Sequence, residues 1–476
     1  MSEPSFTAGI FAHGREVSGE TFMSPMVFPY FPNTAFFIPD LTTSKAQNGT
    51  FSYVRFNNPD RTALADVVTF LEDGEDSVIC SSGMGAITTT MISLLNQGDE
   101  VICNSNIYGE THQIMNYLLP KFGIRSKMVD MRDLDALTQA ITPQTRMVYT
   151  EVCANPVNRM TDIRAAAEIA HKNGALLVVD NTFTTAIAVR PLELGADVVI
   201  NSMTKFMNGH SDAIAGSVTG SRALMDTVRT HSILCGTACD PYAAFTMLKN
   251  FGTMELRVRR QMENAAQFAA AVEKMPHVVR VEHPSLDSFA QHELALRTFR
   301  SNQEMCGIVG VEVPEDVEKI DEFMRRLKMI RYAGNLGGIH STMMHPVSTS
   351  HKDVPDDQRR AMGITPGVLR FTVGIEDVGE LIEDVRQALS AFDRNTTTDK
   401  EINEYEQCCA FCCERKEKSH SGILSAGHRH SGHSHRHRCG RPEDERGPAA
   451  VFRMAASGPV RSKAGLQLQR NAGKGL

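Results

Sequence analysis

The sequence predicts an α/β fold in which helices cover both faces of a mostly parallel sheet. Short apolar runs, such as residues 174–179 and 196–200, alternate with helical patterns between residues 61 and 250. In these runs apolar and polar residues do not alternate, as they would in a strand with one solvent-exposed face. The runs are therefore typical of strands buried on both sides. With 476 residues, the chain exceeds one average domain and fits two or three.

The predicted elements follow one another as strand and helix. Strands are expected at residues 77–80, 100–103, 146–150, 174–179 and 196–200. Helices are expected after the glycines at 83 and 85 through residue 95, and at 111–121 and 162–172. A helical pattern at 255–275 leads to a second region with strands at 306–311 and 369–373 and a last helix at 378–392.

Four segments are predicted along the chain. Residues 1–60 form an extended arm, because prolines interrupt any helix and aromatic residues crowd it. So many rings on an irregular segment favour packing against something, such as another subunit. Residues 61–254 are predicted to form a large domain, residues 255–394 a small domain, and residues 395–476 a His/Cys-rich tail.

Composition excludes some classes of function. A net charge of −7 argues against nucleic acid as the main partner. No apolar run approaches the length of a membrane span, and no signal-peptide pattern occurs, so a cytoplasmic protein without membrane attachment is expected. Six cysteines scattered through the body are expected to be buried free thiols: Cys80, Cys103, Cys153, Cys235, Cys239 and Cys306.

The tail differs in composition from the rest of the chain. Cysteine pairs at 408–409 and 412–413 and six histidines between 420 and 437 lie among Ser, Gly and Arg. Little apolar periodicity remains, so disorder is expected. The segment is either a metal-binding region or an extension without a selected role, and no metal ligand is assigned elsewhere.

Asp180 and Lys205 each follow a predicted buried strand. Ligands of parallel sheets bind outside the carboxyl ends of the strands. A lysine that can form a Schiff base and a carboxylate that can hold a pyridinium nitrogen are what pyridoxal 5'-phosphate (PLP) requires. A strand-end cap at Asp180 and a solvated surface amine at Lys205 would explain the same two residues without a cofactor.

Two further segments fit a planar phosphorylated cofactor. Gly83 and Met84 open a helix, where backbone N–H groups and the helix dipole favour an anion. A tight turn explains the same glycines. Tyr108 follows the next strand and could stack on a ring, or it is a rim aromatic.

Together these motifs resemble the Cys/Met-metabolism PLP enzymes, the group of cystathionine γ-synthase, cystathionine γ-lyase, methionine γ-lyase and the O-acetylhomoserine sulfhydrylases. The resemblance covers roughly residues 25–393 and is most specific at Ser202-Met-Thr-Lys205 with Gly209-His-Ser-Asp212. Other shared motifs begin at Tyr53, Asn155, Asn335 and Leu369. The resemblance implies the fold type I PLP-dependent transferase fold, with a smaller α+β C-terminal domain.

The resemblance also implies how the cofactor is held. Lys205 would form the Schiff base, Asp180 would pair with the ring nitrogen, and Tyr108 would stack on the ring and assist the leaving group. The remaining implied cofactor contacts are Gly83, Met84, Ser202 and Thr204 at the phosphate, Asn155 at the phenolic oxygen, and Tyr53 and Arg55 at the phosphate of a neighbouring subunit. The active site would then need a homo-oligomer, and a tetramer built as a dimer of dimers is expected.

The substrate contacts include two departures from the family. Arg370 would clamp the α-carboxylate of an amino acid, and Ser341 would orient Lys205 and the substrate. His340 stands where relatives that handle cystathionine usually carry Glu, and Glu110 stands where methionine γ-lyases usually carry Cys. Both are candidate substrate-binding residues, and both departures weaken the match to a single known substrate.

The function predicted from the resemblance is β- or γ-elimination of a sulfur-containing amino acid by a C–S lyase. A γ-replacement transferase, such as cystathionine γ-synthase or O-acetylhomoserine sulfhydrylase, shares the first steps and stays open. Two further functions also stay open: an inactive scaffold of the same fold, and a metal-binding protein that acts through the tail.

Overall fold

The computed structural model describes residues 26–38, 40–41, 51–352 and 354–393. The tail at 395–476 and much of the arm, including 1–25 and 42–50, lie outside the described residues. The α-helices are α1 Pro59–Glu72, α2 Gly83–Leu94, α3 Gly109–Gln113, α4 Leu134–Ala140, α5 Ile163–Lys172, α6 Thr185–Ala188, α7 Arg222–Cys235, α8 Pro241–Phe251, α9 Met254–Val272, α10 His292–Thr298, α11 Val317–Arg326, α12 Asp356–Ala361 and α13 Val378–Ala388.

The strands of the described residues form two sheets and a short hairpin. They are β1 Asp76–Cys80, β2 Glu100–Asn104, β3 Arg125–Val129, β4 Thr145–Glu151, β5 Cys153–Ala154, β6 Arg159–Met160, β7 Leu176–Asp180, β8 Val198–Asn201, β9 Gly216–Gly220, β10 Arg280–Glu282, β11 Ile308–Glu312, β12 Arg331–Tyr332, β13 Thr342–Met344 and β14 Val368–Thr372.

The first sheet has seven strands in the order β1-β9-β8-β7-β4-β2-β3. Neighbours from β8 to β3 pair in parallel, whereas β9 runs antiparallel to both β1 and β8. The prediction of a mostly parallel sheet is therefore confirmed. The carboxyl ends of β1, β4, β7 and β8 meet at one edge, and this edge carries the candidate site.

Helices cover both faces of this sheet, as predicted. Leu177 and Val179 of β7 pack in one apolar cluster with residues of α1 and α5. Val178, between them, packs in the opposite cluster with residues of α2 and α7. Because successive side chains of a strand point to opposite faces, this division shows a strand buried on both sides.

The long helix α9 leads to the second sheet, ordered β10-β11-β14-β13-β12. Its strands pair antiparallel except for β12 and β13. α9 packs against α13 and against β11 of this sheet. The predicted strands at 306–311 and 369–373 correspond to β11 and β14.

Three local predictions were wrong. The helix expected at 111–121 is α3 followed by a π-helical turn, Ile114–Leu118, and a 3₁₀ turn, Leu119–Phe122. Pro120 lacks the N–H that a regular helix would use there. Strands β3 and β9 were not predicted. Cys235 is exposed at the end of α7, whereas the other five body cysteines are buried, and all six are free.

The described part of the arm packs on its own chain. The ring of Tyr30 lies 5.9 Å from that of Tyr242 and 5.5 Å from that of Phe245 in α8. The Phe31 N–H donates to Asp60 in the first turn of α1, at 2.9 Å. Phe37 remains fully exposed. No described helix combines the length and apolarity that crossing a membrane requires.

Candidate active site

Asp180 ends β7 at the carboxyl edge of the sheet, as predicted. The Thr182 N–H donates to Oδ1 at 2.9 Å, and the Tyr149 hydroxyl donates to Oδ2 at 3.3 Å. Burial raises the pKa of Asp180 above its usual value. Neither of these hydrogen-bond donors is cationic, so the carboxylate is suited to pairing with a protonated ring nitrogen.

Lys205 lies in the turn that follows β8. Its N–H donates to the Ser202 carbonyl at 3.1 Å, and its carbonyl accepts from the Gly209 N–H at 2.8 Å. Burial first, and then the charge of Arg370, lowers the pKa of the Lys205 amine, while Glu110 opposes this shift. A lowered pKa increases the fraction of neutral amine, which is the nucleophilic form.

The start of α2 offers an anion-binding site next to this turn. The Ser82 side chain caps the helix by accepting from the Gly85 N–H at 2.9 Å. Among the described residues, the N–H groups of Gly83 and Met84 have no hydrogen-bond partner. A Cβ at residue 83 would lie 2.6 Å from Ser202 Cβ, so the two segments touch. Free N–H groups of a twelve-residue helix beside a serine hydroxyl fit a phosphate group.

Thr204 has a hydroxyl that is already engaged. It donates to the Ala215 carbonyl and accepts from the Ala215 N–H, both at 3.2 Å. These bonds hold the turn against the chain entering β9. The structure thus places Thr204 in the turn after β8, and the contact of its hydroxyl with the cofactor phosphate stays a prediction.

Glu151, which was not among the predicted site residues, organises the opposite side of the site. Its carboxylate accepts from the N–H of Tyr108 at 2.8 Å and from the N–H of Asn155 at 3.3 Å. Burial and the neighbouring charge of Asp180 raise the pKa of Glu151. The sequence contained a signal that could have identified Glu151, because this residue ends a buried strand just as Asp180 does.

Arg370 reaches this side of the site from β14. It donates from Nη1 to the Asn155 side chain at 2.9 Å and from Nη2 to the Asn335 carbonyl at 3.0 Å. Its Nε is buried and has no partner among the described residues. Burial lowers the pKa of Arg370 to about 10, so the guanidinium is charged at neutral pH. A planar cation with an unused donor fits a substrate carboxylate.

Ser341 is buried and directly precedes the strand β13. Its hydroxyl donates to Glu376 Oε2 at 2.9 Å and accepts from the Gly374 N–H at 2.8 Å. Its own N–H donates to Glu376 Oε1 at 2.6 Å. Glu376, for which no role was predicted, thus fixes the segment that follows His340.

The remaining predicted residues are more exposed. His340 and Glu110 are both exposed, and Glu110 lines a cavity of about 240 Å³ between α3 and the segment around His351. Tyr53 is 44 % exposed, and Arg55 donates to the Ile233 carbonyl in α7 at 3.1 Å. No hydrogen bond or ring contact of the described residues joins Tyr53 or Arg55 to Lys205 of the same chain.

Within the described ranges, no group of three or more His, Cys, Asp or Glu side chains is arranged to hold a metal ion. The His/Cys tail lies outside those ranges.

Comparison with known proteins agrees with this geometry. The family model described as Cys/Met metabolism PLP-dependent enzyme matches residues 12–390. An L-methionine gamma-lyase of Pseudomonas putida is 36% identical over 82% of this chain and 98% of its own length. A cystathionine gamma-lyase of Bacillus subtilis is 37% identical over 72% of this chain and 89% of its own.

A solved structure shows the same fold. It is a cystathionine gamma synthase from Xanthomonas oryzae pv. oryzae in complex with aminoacrylate and cysteine. The TM-score is 0.77 at 30% identity, over 82% of this chain and 99% of that one. The family expected from the sequence is confirmed, and the chain belongs to the PLP-dependent enzymes of Cys/Met metabolism.

Proposed function

We propose that this protein is a C–S lyase that eliminates a thiol from the β or γ carbon of a sulfur-containing amino acid. The observation that carries the proposal is the placement of three ionisable groups at one site, with Asp180 at the end of β7, Lys205 in the turn after β8 and Arg370 reaching in from β14 close enough for its charge to act on Lys205. The lyase names of the relatives in Pseudomonas and Bacillus support elimination over replacement.

The residues divide the work as follows. Bound PLP supplies electron withdrawal from the substrate carbon next to the amino nitrogen. Arg370 binds the α-carboxylate, and Asp180 holds the proton on the ring nitrogen. The neutral amine of Lys205 removes the α proton and transfers protons between the α and β carbons of the substrate. The Tyr108 hydroxyl protonates the departing sulfur. Burial and the adjacent Glu110 raise the pKa of Tyr108, so the phenol carries its proton at neutral pH.

The other predicted cofactor contacts belong to the same proposal. The Gly83 and Met84 N–H groups with Ser202 hold the phosphate, and Thr204 shapes the turn. Tyr53 and Arg55 complete the phosphate site of a neighbouring subunit, in a homotetramer built as a dimer of dimers. We infer a cytoplasmic location from the sequence alone.

The substrate side is proposed to include Ser341, Glu110 and His340. Ser341 holds the backbone beside the substrate through Glu376. Glu110 and His340 are exposed, and we propose that they contact the part of the substrate beyond the sulfur atom.

A γ-replacement transferase is the second candidate, supported by the fold shared with a cystathionine gamma synthase. One assay distinguishes the two reactions by their products. The purified protein is incubated with methionine, cystathionine and O-acetylhomoserine, with and without an added thiol. Lyase activity on methionine and water yields methanethiol, ammonia and 2-oxobutanoate without added thiol. A new thioether that forms only with added thiol would show the transferase instead.

A further inference from the structure

The long helix α9 buries a row of three polar side chains. Arg257, Gln261 and Asn264 are spaced i, i+4 and i+7, so they share one face of the helix. Arg257 is 6 % exposed and the other two are fully buried. Burying a polar group costs little free energy only where the group is hydrogen-bonded. The hydrogen-bond partners of these three side chains therefore indicate their role.

Arg257 binds the backbone of the turn that carries Lys205. Its Nη1 donates to the Phe206 carbonyl at 3.2 Å, and its Nη2 donates to the Met207 carbonyl at 3.1 Å. A Cβ at residue 209 would overlap Nη1, so the guanidinium lies directly against Gly209. Burial lowers the pKa of Arg257 to about 10, which leaves it charged at neutral pH. Charged donors bind carbonyls more strongly than neutral ones.

Gln261 and Asn264 bind the backbone around Ser341. Gln261 Nε2 donates to the Gly338 carbonyl at 2.7 Å. Asn264 Nδ2 donates to the carbonyls of Gly374 and Glu376, at 3.0 Å and 2.9 Å. Gly374 and Glu376 are the residues that hold Ser341. The same face of α9 therefore binds both the turn that carries Lys205 and the segments around Ser341.

These two regions also touch each other. A Cβ at Gly337, whose φ is +80°, would overlap the Phe206 nitrogen and lie 2.7 Å from the Lys205 carbonyl carbon. The Ile339 N–H donates to the Gly209 carbonyl at 2.9 Å. Only glycine fits at 337, and the contact leaves little room for one segment to shift without the other.

We propose that Arg257, Gln261 and Asn264 are positioning residues, which fix the Lys205 turn against the segment that carries Ser341. They act through the backbone and touch neither cofactor nor substrate. The inference rests on the proposed function, in which Lys205 carries the cofactor and Ser341 lies on the substrate side.

The test uses the holoenzyme with Arg257→Lys, which keeps the charge but loses the planar donor pair, and Gln261→Met, which keeps the size but loses the donors. The control is Val272→Ala, a buried apolar truncation in the same helix, about 22 Å from Arg257 and about 16 Å from Gln261 along the helix axis. Backbone hydrogen exchange is followed in residues 203–212 and 335–341, together with the pH midpoint of the cofactor's visible band and with kcat and KM.

Both polar variants are expected to raise exchange in the two segments about tenfold, shift the band's pH midpoint, and lower kcat roughly tenfold or more with little change in KM. Val272→Ala is expected to lower the melting temperature but leave the exchange and the midpoint unchanged. If Val272→Ala changes the exchange and the midpoint as the polar variants do, the row is only structural and the inference is wrong.

A separate experiment tests the proposed function on which this inference rests. If the proposed function is wrong, borohydride reduction of the wild-type holoenzyme followed by peptide mass mapping would find no cofactor on Lys205. The exchange comparison still reports whether the helix face fixes the two segments, whichever substrate is used. Should Arg257→Lys fail to fold, unchanged exchange in Gln261→Met overturns the inference by itself.

Discussion

Glu151 and Asp180 occupy paired positions at the ends of the adjacent parallel strands β4 and β7, so two carboxyl groups stand side by side at the edge of the sheet. Asp180 accepts from the Thr182 N–H and the Tyr149 hydroxyl, while both oxygens of Glu151 accept backbone N–H groups, from Tyr108 and from Asn155. In the proposed function, Asp180 pairs with the ring nitrogen of the cofactor and Glu151 fixes the backbone beside it.

Glu151→Gln is expected to lower kcat. An amide has one acceptor oxygen, so either the Tyr108 or the Asn155 N–H loses its partner, at a cost of about 1–3 kcal/mol. The displaced backbone should reduce kcat roughly tenfold. Steady-state kinetics would measure this effect. An unchanged kcat would show that the two N–H bonds have no bearing on the reaction.

Lys205→Ala is expected to abolish the visible absorbance of the bound cofactor. Without the amine no covalent attachment forms, and catalysis should fall by at least about a thousandfold because both the nucleophile and the proton carrier are lost. Spectra of the purified variant reconstituted with PLP would show this. Lys121→Ala, at an exposed lysine, is the matched control and should keep the band. Retention of the band in Lys205→Ala would exclude this lysine as the attachment site.

Gly83→Ala is expected to weaken PLP binding. The new methyl group would meet Ser202 at 2.6 Å, so the start of α2 and the lysine turn must separate where the phosphate is proposed to bind. Titration of the apoprotein with PLP should show a dissociation constant raised about tenfold or more.

The control for that prediction is Gly334→Ala. A Cβ at residue 334 would meet no atom within 4 Å, and the residue has no positive φ. Its affinity for PLP should match that of the wild type. Equal affinities in all three proteins would argue against a phosphate site at Gly83.

Glu72→Gln is expected to change how stability depends on pH. Glu72 ends α1 and is fully buried, and it accepts from Asn201 at 2.7 Å and from Asn181 at 3.4 Å. Burial raises the pKa of Glu72 from 4.5 to about 7, against the opposing charge of Arg190. The native state therefore binds more protons than the unfolded state between about pH 4.5 and 7, so the unfolding free energy falls as pH rises through this window.

The variant should flatten that fall, which amounts to about 3 kcal/mol at most. Denaturant unfolding at pH 5, 6 and 7.5 would measure it. Glu315, on the surface, provides the control, since Glu315→Gln should leave the slope between pH 5 and 7.5 nearly unchanged. Parallel curves for Glu72→Gln and the wild type would contradict the prediction.

The sequence predicted the strands that carry the site, because buried parallel strands appear as continuous apolar runs ending in polar residues. β9 escaped notice because its buried positions hold small residues, including Ser217 and Thr219, and the Thr219 hydroxyl hydrogen-bonds to Ser77 at 2.8 Å. β3 is an edge strand with polar, partly exposed side chains. Neither strand has the apolar run on which the prediction depended.

The supporting residues of the site were harder to predict than Lys205 and Asp180. Arg257 lies in a helix rich in charge, where a single arginine is most simply interpreted as solvated. Its role depends on backbone carbonyls in a turn that is distant in the sequence. Every residue has a backbone carbonyl, so residue types do not reveal which carbonyls an arginine will bind. Glu151 was detectable in principle, since it occupies the same position on its strand as Asp180 does.

The contact between Gly337 and the Lys205 turn has a consequence for biosynthesis. The ribosome completes β1 to β9, with Asp180 and Lys205 in place, long before it adds Gly337 and the carbonyls that Gln261 and Asn264 bind. A nascent chain at that stage has the reactive amine without the backbone that fixes it. We therefore expect productive attachment of PLP to follow synthesis of the segment that carries Gly337, rather than completion of β9.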